Sequence, residues 1–245
     1  MGGSAKISND LLHNLELMSI KVLNLHPWNL TYKEAVEVQK RLQPRVILTP
    51  LKKRVRFVAG ADVSYSKKDR YLFGAIVIMD LEKMEPIEEV AESGEESFNY
   101  FPGLLSFREI PILLNLLKKL HHTPEIFILD GQGIAHPRNL GLASHFGLII
   151  DLPTIGCAKT KLVGEYKPFI KKRGKYSLLF HQGKKVGAVV CTKDGTRPVF
   201  VSPGHKVDIL SSIRVVLKSC QGYRLPEPIR KAHSLANSLR SKESD

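Results

Sequence analysis

The sequence predicts one α/β domain built on a mixed β-sheet, and three observations carry that expectation. Two apolar runs joined by a short polar turn, with a third extended run behind them, read as an antiparallel meander. A helical stretch, a short apolar strand ending in an acid, and a second helix then follow, so the period switches from strand to helix and back as it does when helices cover a sheet. The balance of 43% hydrophobic and 25% charged residues over 245 positions is ordinary for a globular chain with a sizeable core.

The elements follow in order. Met1-Gly2-Gly3-Ser4 is left out of fold reasoning. Residues 5–29 are mixed, with room for a short helix, and 1–25 form an N-terminal extension to which no role is assigned. Thr31-Tyr32-Lys33-Glu34 is a capping box, and Ala35, Val36, Val38 and Leu42 continue at helical spacing, which places a helix at 31–43. Pro44 and Pro50 bracket a connector. Arg56 to Tyr65 and Tyr71 to Asp80 read as paired strands across the polar turn Ser66–Arg70, with a third strand at 86–92 and a loop at 93–97. A helix at 104–120 has Leu113, Leu114, Leu116, Leu117 and Leu120 on its apolar side, with Pro111 in the first turn of its longer part. Glu125 to Asp130 reads as a buried parallel strand, broken by Gly131-Gln132-Gly133 and followed by a helix at 139–149. Strands are expected at 153–158, 186–192 and 198–202, the last two joined through Asp194-Gly195, and helices at 206–219 and 226–240 close the chain. Residues 26–240 therefore form a single domain.

Composition narrows the function classes. With 37 Lys and Arg against 24 Asp and Glu, the formal charge is +13 at pH 7. Such an excess favours polyanionic partners, because phosphate contacts release counterions, although a basic enzyme of another kind has the same balance. No run reaches the ~18 apolar residues of a membrane span, so no membrane partner is expected. The 3 cysteines have neither CxxC nor Cys/His zinc spacing, which argues against a disulfide framework or zinc finger and for a reducing, cytoplasmic location.

The informative feature is where the acids fall. Asp62 sits inside the apolar strand Val58-Ala59-Gly60-Ala61-Asp62-Val63, and alternation puts Val58, Gly60, Asp62 and Ser64 on one face, with Gly60 leaving space beside the acid. A lone carboxylate is costly to bury unless it is paired or binds metal. Asp130 ends another strand, where α/β sheets commonly present ligands, and Glu109 lies near a helix start. Three carboxylates from two strands and a helix suit Mg²⁺, and two such ions assist phosphodiester hydrolysis. Each acid also has a plain alternative: a salt bridge for Asp62, a helix-dipole contact for Glu109, a turn cap for Asp130. The loop Gly131 to Asn139 lets backbone approach a ligand, and its His136 and Arg138 are placed to meet phosphate or base, although it matches no nucleotide-binding fingerprint.

Several motifs together resemble the endonuclease V family. Gly60-Ala61-Asp62-Val63-Ser64-Tyr65 is similar to its first acidic motif, Tyr100-Phe101-Pro102-Gly103-Leu104-Leu105-Ser106-Phe107-Arg108-Glu109 to its second block, and Asp130-Gly131-Gln132-Gly133-Ile134-Ala135-His136-Pro137-Arg138 to its third. Gly156-Cys157-Ala158-Lys159-Thr160, Val201-Ser202-Pro203-Gly204-His205 and Arg224-Leu225-Pro226-Glu227-Pro228-Ile229-Arg230 follow in family order, so the resemblance runs from about His26 to Ala236. It implies an RNase H-like fold with a mixed five-stranded central sheet flanked by helices. It also implies a Mg²⁺-dependent endodeoxyribonuclease, Mn²⁺ being able to substitute, that hydrolyses the second phosphodiester bond 3′ to deoxyinosine, leaves a 5′-phosphate and initiates repair of deaminated adenine. Its partner would be deoxyinosine-containing DNA, and a monomer is expected.

Carried over residue by residue, the resemblance makes Asp62 and Asp130 the principal metal ligands, with Glu109 holding metal or its water. His233 falls where the family has a fourth catalytic residue, able to ligate metal or relay a proton, and Lys159 where it has a lysine near the scissile phosphate. Tyr100 matches the wedge that fills the space left by a displaced base. Gly103, Leu105, Gly131, Gly133, His136, Arg138 and Leu142 would form or flank the hypoxanthine pocket. Without the resemblance, His233 and Lys159 read as surface residues and Leu105 and Leu142 as core. The wedge motif departs from the family's Pro-Tyr-Ile-Pro or Pro-Tyr-Val-Pro, reading Asn99-Tyr100-Phe101-Pro102 here. Rival readings are an inosine-specific endoribonuclease on single-stranded RNA, another RNase H-like nuclease, and a nucleic-acid-binding protein without turnover.

Overall fold

The computed structural model describes residues 20–66 and 68–244. Most of the short helix allowed for near the N-terminus lies outside these residues, and 20–31 contain none. Ile20 and Leu25 pack on the core, and the Leu23 amide donates to the Ile149 carbonyl at 2.7 Å, so the end of the extension is part of the globule.

The sheet has eight strands, not five: β1 (Phe57–Tyr65), β2 (Tyr71–Asp80), β3 (Glu85–Glu95), β4 (Ile126–Leu129), β5 (Thr154–Ala158), β6 (Tyr176–His181), β7 (Lys184–Val190) and β8 (Val199–His205), in the order β3-β2-β1-β4-β5-β8-β7-β6. β1, β2 and β3 are the antiparallel meander, whereas β4 runs parallel to β1 and β5 parallel to β4. β8, β7 and β6 extend the sheet antiparallel beyond β5. The strand missed in sequence is β6, and it pairs with β7 across Gln182-Gly183, whose φ angles of 50° and 74° fit the two-residue turn that matches strand twist. Gln182 lacks the usual Asn or Asp signal, and β6 is an edge strand with weak apolar alternation. β3 also runs three residues further than expected, into the segment read as a loop, because Ser93 and Gly94 pair with Phe73 and Leu72.

The described residues form five α-helices: α1 (Tyr32–Leu42), α2 (Leu105–Leu117), α3 (Leu142–Ile150), α4 (Ile209–Lys218) and α5 (Glu227–Ser244); α2 to α5 pack on the sheet, and α1 packs outside it against Leu104, Phe107, Leu140 and Leu148. The Thr31–Glu34 capping box starts α1 as expected. Pro111 lies inside α2, not in a first turn. Its missing N–H costs helix stability, and the burial of Ile110, Leu113 and Leu116 on the sheet and of Phe107 against α1 outweighs that cost.

Alternation along β1 decides what each helix layer sees. Ala59, Ala61 and Val63 join the core under α2 and α3, while Val58 joins the core under α4 and the start of α5. Asp62 and Ser64 share the α5 side, where their partners are His233 and Asn237. Gly60 does not make room for the acid. A Cβ there would sit 2.1 Å from the Pro228 carbonyl carbon, so the glycine lets the backbone at the start of α5 lie directly on the strand. Gly60→Ala is therefore expected to cost about 3 kcal/mol, since backbone cannot move aside as a side chain can. Urea denaturation reads this directly, and an unchanged midpoint would show that α5 is not held there.

Candidate active site

Four elements bring their chemistry to one end of the sheet. Asp62 comes from β1, Asp130 follows the last residue of β4, Glu109 lies on the second turn of α2 and His233 projects from α5. They line one cleft of about 400 Å³ together with Lys159, which follows β5, and with Tyr65, Asn237 and Arg240. The parallel pairing of β1 and β4 in the centre of the sheet sets this meeting point, because parallel strands deliver the Asp62 region and Asp130 to the same end.

Each carboxylate is held by a different protein group. The His233 Nδ1 lies 2.7 Å from Asp62 Oδ2, the Lys159 ammonium donates to Asp130 Oδ2 at 2.5 Å, and the Tyr65 hydroxyl donates to Glu109 Oε1. As they stand, no three His, Cys, Asp or Glu side chains among the described residues converge on a single ion position. The electrostatics nonetheless favour an added cation. Burial raises the Asp62 carboxyl above its ordinary range, and the Asp130 charge pushes it further. Glu109, 6% exposed, is pushed up to about 8, first by burial and then by Asp62 and Asp130. Clustered oxygen donors that resist ionising together are the donor chemistry of a hard divalent ion.

The sign of that strain gives a pH-dependent prediction. Glu109 has a folded-state value raised above its ordinary 4.5. Below that range it is protonated in both states and costs nothing. As pH rises towards 8, the unfolded chain ionises freely while the fold must hold the proton or bury the charge, so stability declines. A cation relieves this, and protons compete with it for the carboxylates. Millimolar Mg²⁺ is expected to raise Tm more at pH 8 than at pH 5.5 by scanning calorimetry; equal increments at both would contradict it.

Asn237 and Ser64 are site residues that the sequence did not single out. Asn237 Nδ2 donates to the His233 carbonyl at 2.9 Å and lies 3.0 Å from His233 Nε2, while its Oδ1 accepts from Ser64 Oγ at 2.9 Å. A carbonyl can only accept, so the amide nitrogen faces the imidazole and Nε2 accepts. The neutral ring then carries its proton on Nδ1, aimed at Asp62. The i, i+4 spacing of His233 and Asn237 on one helix face was the available signal.

A second cavity of about 440 Å³ adjoins the cleft, sharing Asp130, Leu105 and Lys159 with it. Tyr100, Gly103, Leu105, Gly131, His136 and Leu142 line it, joined by Gln39 and Gln132. Gly133 and Arg138 do not. A Cβ on Gly133 would sit 1.9 Å from the Pro203 carbonyl oxygen, so that glycine seats the loop on β8. Arg138 donates to the Gly103 carbonyl at 2.7 Å and to Gln39, and His136 Nε2 lies 3.0 Å from the same carbonyl. Both side chains thus brace the Gly103 turn, whose φ of 79° demands glycine. Burial and the Arg138 charge lower His136 to about 4, so it is a neutral wall of the cavity.

Tyr100 is 57% exposed at the mouth of this cavity. The Arg108 guanidinium lies 5.9 Å from its ring and 4.2 Å from that of Tyr65. The departures from the family's wedge motif each have a contact. Asn99 accepts from Arg70 at 2.8 Å, and Phe101 packs edge-on against Tyr32 and Phe98 at centroid distances of 5.3 and 5.8 Å.

A family model described as Endonuclease V matches residues 40–234. The chain belongs to the endonuclease V family. An Endonuclease V of Dehalococcoides mccartyi is 42% identical over 222 residues, covering 91% of this chain and all of the relative. Among solved structures, endonuclease V from Streptomyces avermitilis superposes with a TM-score of 0.85 at 37% identity over 93% of this chain and all of that one. Endonuclease V of Ciona intestinalis, in complex with a 23-mer DNA containing an inosine followed by a ribo-adenosine, has a TM-score of 0.76 at 27% identity over 87% of this chain and all of that one. The matched segment of this endonuclease V chain ends one residue past His233, so Asn237 and Arg240 lie beyond it. No helix among the described residues is long and apolar enough to cross a membrane.

Proposed function

We propose that this chain is a Mg²⁺-dependent endodeoxyribonuclease that hydrolyses the second phosphodiester bond 3′ to deoxyinosine and so initiates repair of deaminated adenine. The observation that carries the reading is the junction of the acidic cleft and the second cavity, which has ample room for a purine, at Asp130, Leu105 and Lys159. Membership of the family and the inosine-containing DNA bound to the Ciona relative support the same substrate. Strand order β3-β2-β1-β4-β5, antiparallel then parallel, supports an RNase H-like core within the larger sheet.

Asp62, Asp130 and Glu109 would hold the metal. Bound there, Mg²⁺, or Mn²⁺ in its place, supplies activation of the attacking water and neutralisation of charge on the phosphate. The chain's own residues do the rest. Lys159 lines both the base cavity and the acidic cleft, where its ammonium would face the scissile phosphate, the second one 3′ to the bound purine, and offset its developing charge. His233 holds a proton on Nδ1 beside Asp62, oriented by Asn237. The glycines at 103 and 131 let the base approach backbone, Leu105 and Leu142 cover its faces, and Tyr100 takes the place of the extruded base in the stack. Three free, buried cysteines suit the reducing cytoplasm, and the chain is taken to act as a monomer.

End-labelled oligonucleotides with one central inosine test this. Cleavage in Mg²⁺ and none in EDTA, with a product ending one nucleotide beyond deoxyinosine, is the expected result. Cutting of inosine RNA alone would replace DNA by RNA as substrate, and no cutting of either would remove the reading.

A further inference from the structure

A third cavity, about 650 Å³, opens from the far side of Lys159. It is built by the segment between β5 and β6 and by the start of β8, the part of the molecule outside the first five strands. Five cations line it and no carboxylate does. Lys161, Lys171 and Arg197 are exposed, and none forms an ion pair with a described residue. Arg224 holds the walls together, donating to the carbonyls of Lys159 at 2.7 Å and Pro198 at 3.0 Å.

The lining is not only charged. The Tyr166 ring meets Phe200 edge to face at a centroid distance of 6.1 Å, which fixes it from behind while leaving it 39% exposed. A basic groove tracking a backbone, with an aromatic ring free to receive a base, is the combination that binds single strands without regard to sequence. A paired flank offers phosphates but no free base face, and so would use the cations and leave Tyr166 idle.

We propose that this groove binds the unpaired strand flanking the damaged nucleotide, one base stacking on Tyr166 while Lys161, Lys171 and Arg197 hold its phosphates. The proposal rests on the nuclease reading, because Lys159 is common to the base cavity, the acidic cleft and the groove, so a strand that places its phosphate at Lys159 continues into it.

Fluorescence anisotropy in EDTA, with a single-stranded oligonucleotide carrying one deoxyinosine and the same sequence as a hairpin duplex, measures it. Tyr166→Ala is expected to weaken single-strand binding about 5- to 100-fold and duplex binding less than about twofold, with Tyr166→Phe near wild type. The double variant Lys171→Ala, Arg197→Ala is expected to flatten the salt dependence for the single strand by about 1.4 in logarithmic slope. Equal loss on both substrates, no loss on either, or failure of Tyr166→Phe to retain binding overturns the proposal. Cleavage in Mg²⁺ separates the two readings. Intact cutting with no effect of Tyr166→Ala removes the groove alone, whereas absent cutting with the binding difference intact removes the nuclease assignment alone.

Discussion

Replacing Asp62 or Asp130 by alanine is expected to lower kcat/KM for inosine DNA by a thousandfold or more while leaving the fold intact. A metal site contributes several kcal/mol of charge stabilisation to phosphodiester hydrolysis, and each ~1.4 kcal/mol lost is tenfold in rate. The fold should survive because Asp62 is not a favourable buried group on its own account and Asp130 is only partly buried. Burial raises Asp62, so its charge is tolerated in the fold rather than a source of stability. Truncation loses the bond to His233 or to Lys159 but also removes a like charge from the cluster. Tm in EDTA should therefore move by no more than about 4 °C, and the Mg²⁺-induced rise should disappear. Steady-state kinetics and calorimetry on the same preparations check both halves. Full activity in either variant removes that residue from the metal site.

The second large effect is expected at Tyr100. Tyr100→Ala should reduce the preference for inosine over adenine substrates about 5- to 100-fold, the range of one base-aromatic stack, with little change in stability. Its ring is 57% exposed and its loop is held by other contacts: Asn99 to Arg70, and Phe101 between Tyr32 and Phe98. Loss of the ring thus takes away a surface offered to the DNA and not a core contact. The measurement is the ratio of kcat/KM on duplexes differing only by inosine or adenine. An unchanged ratio would falsify the wedge role.

Much of this site was legible in the sequence because its residues break local rules. Asp62 is an acid in an apolar strand, Asp130 an acid at a strand end before Gly131, and their placement at one cleft follows from β1 and β4 being parallel neighbours. His233 and Lys159 carry no such mark, and only the resemblance to a family singled them out. What was illegible depends on the third dimension. The role of Gly60 lies in backbone 168 positions later, at Pro228. The convergence of His136 and Arg138 on the Gly103 carbonyl, more than 30 positions away, leaves no mark in the sequence. The eight-stranded width of the sheet was hidden because β6 is half-exposed at an edge and its Gln182-Gly183 turn has a weak sequence signal.

In the proposed nuclease, the carboxylates now tied to His233, Lys159 and Tyr65 turn to share divalent metal beside the base cavity. Anomalous diffraction from crystals soaked in Mn²⁺ tests it most directly. A peak is expected within coordination distance of both Asp62 and Asp130 oxygens, with Glu109 touching the ion or its water. Strong Mn²⁺ density elsewhere, with Asp62 still on His233 and Asp130 still on Lys159 in an active crystal, would contradict it.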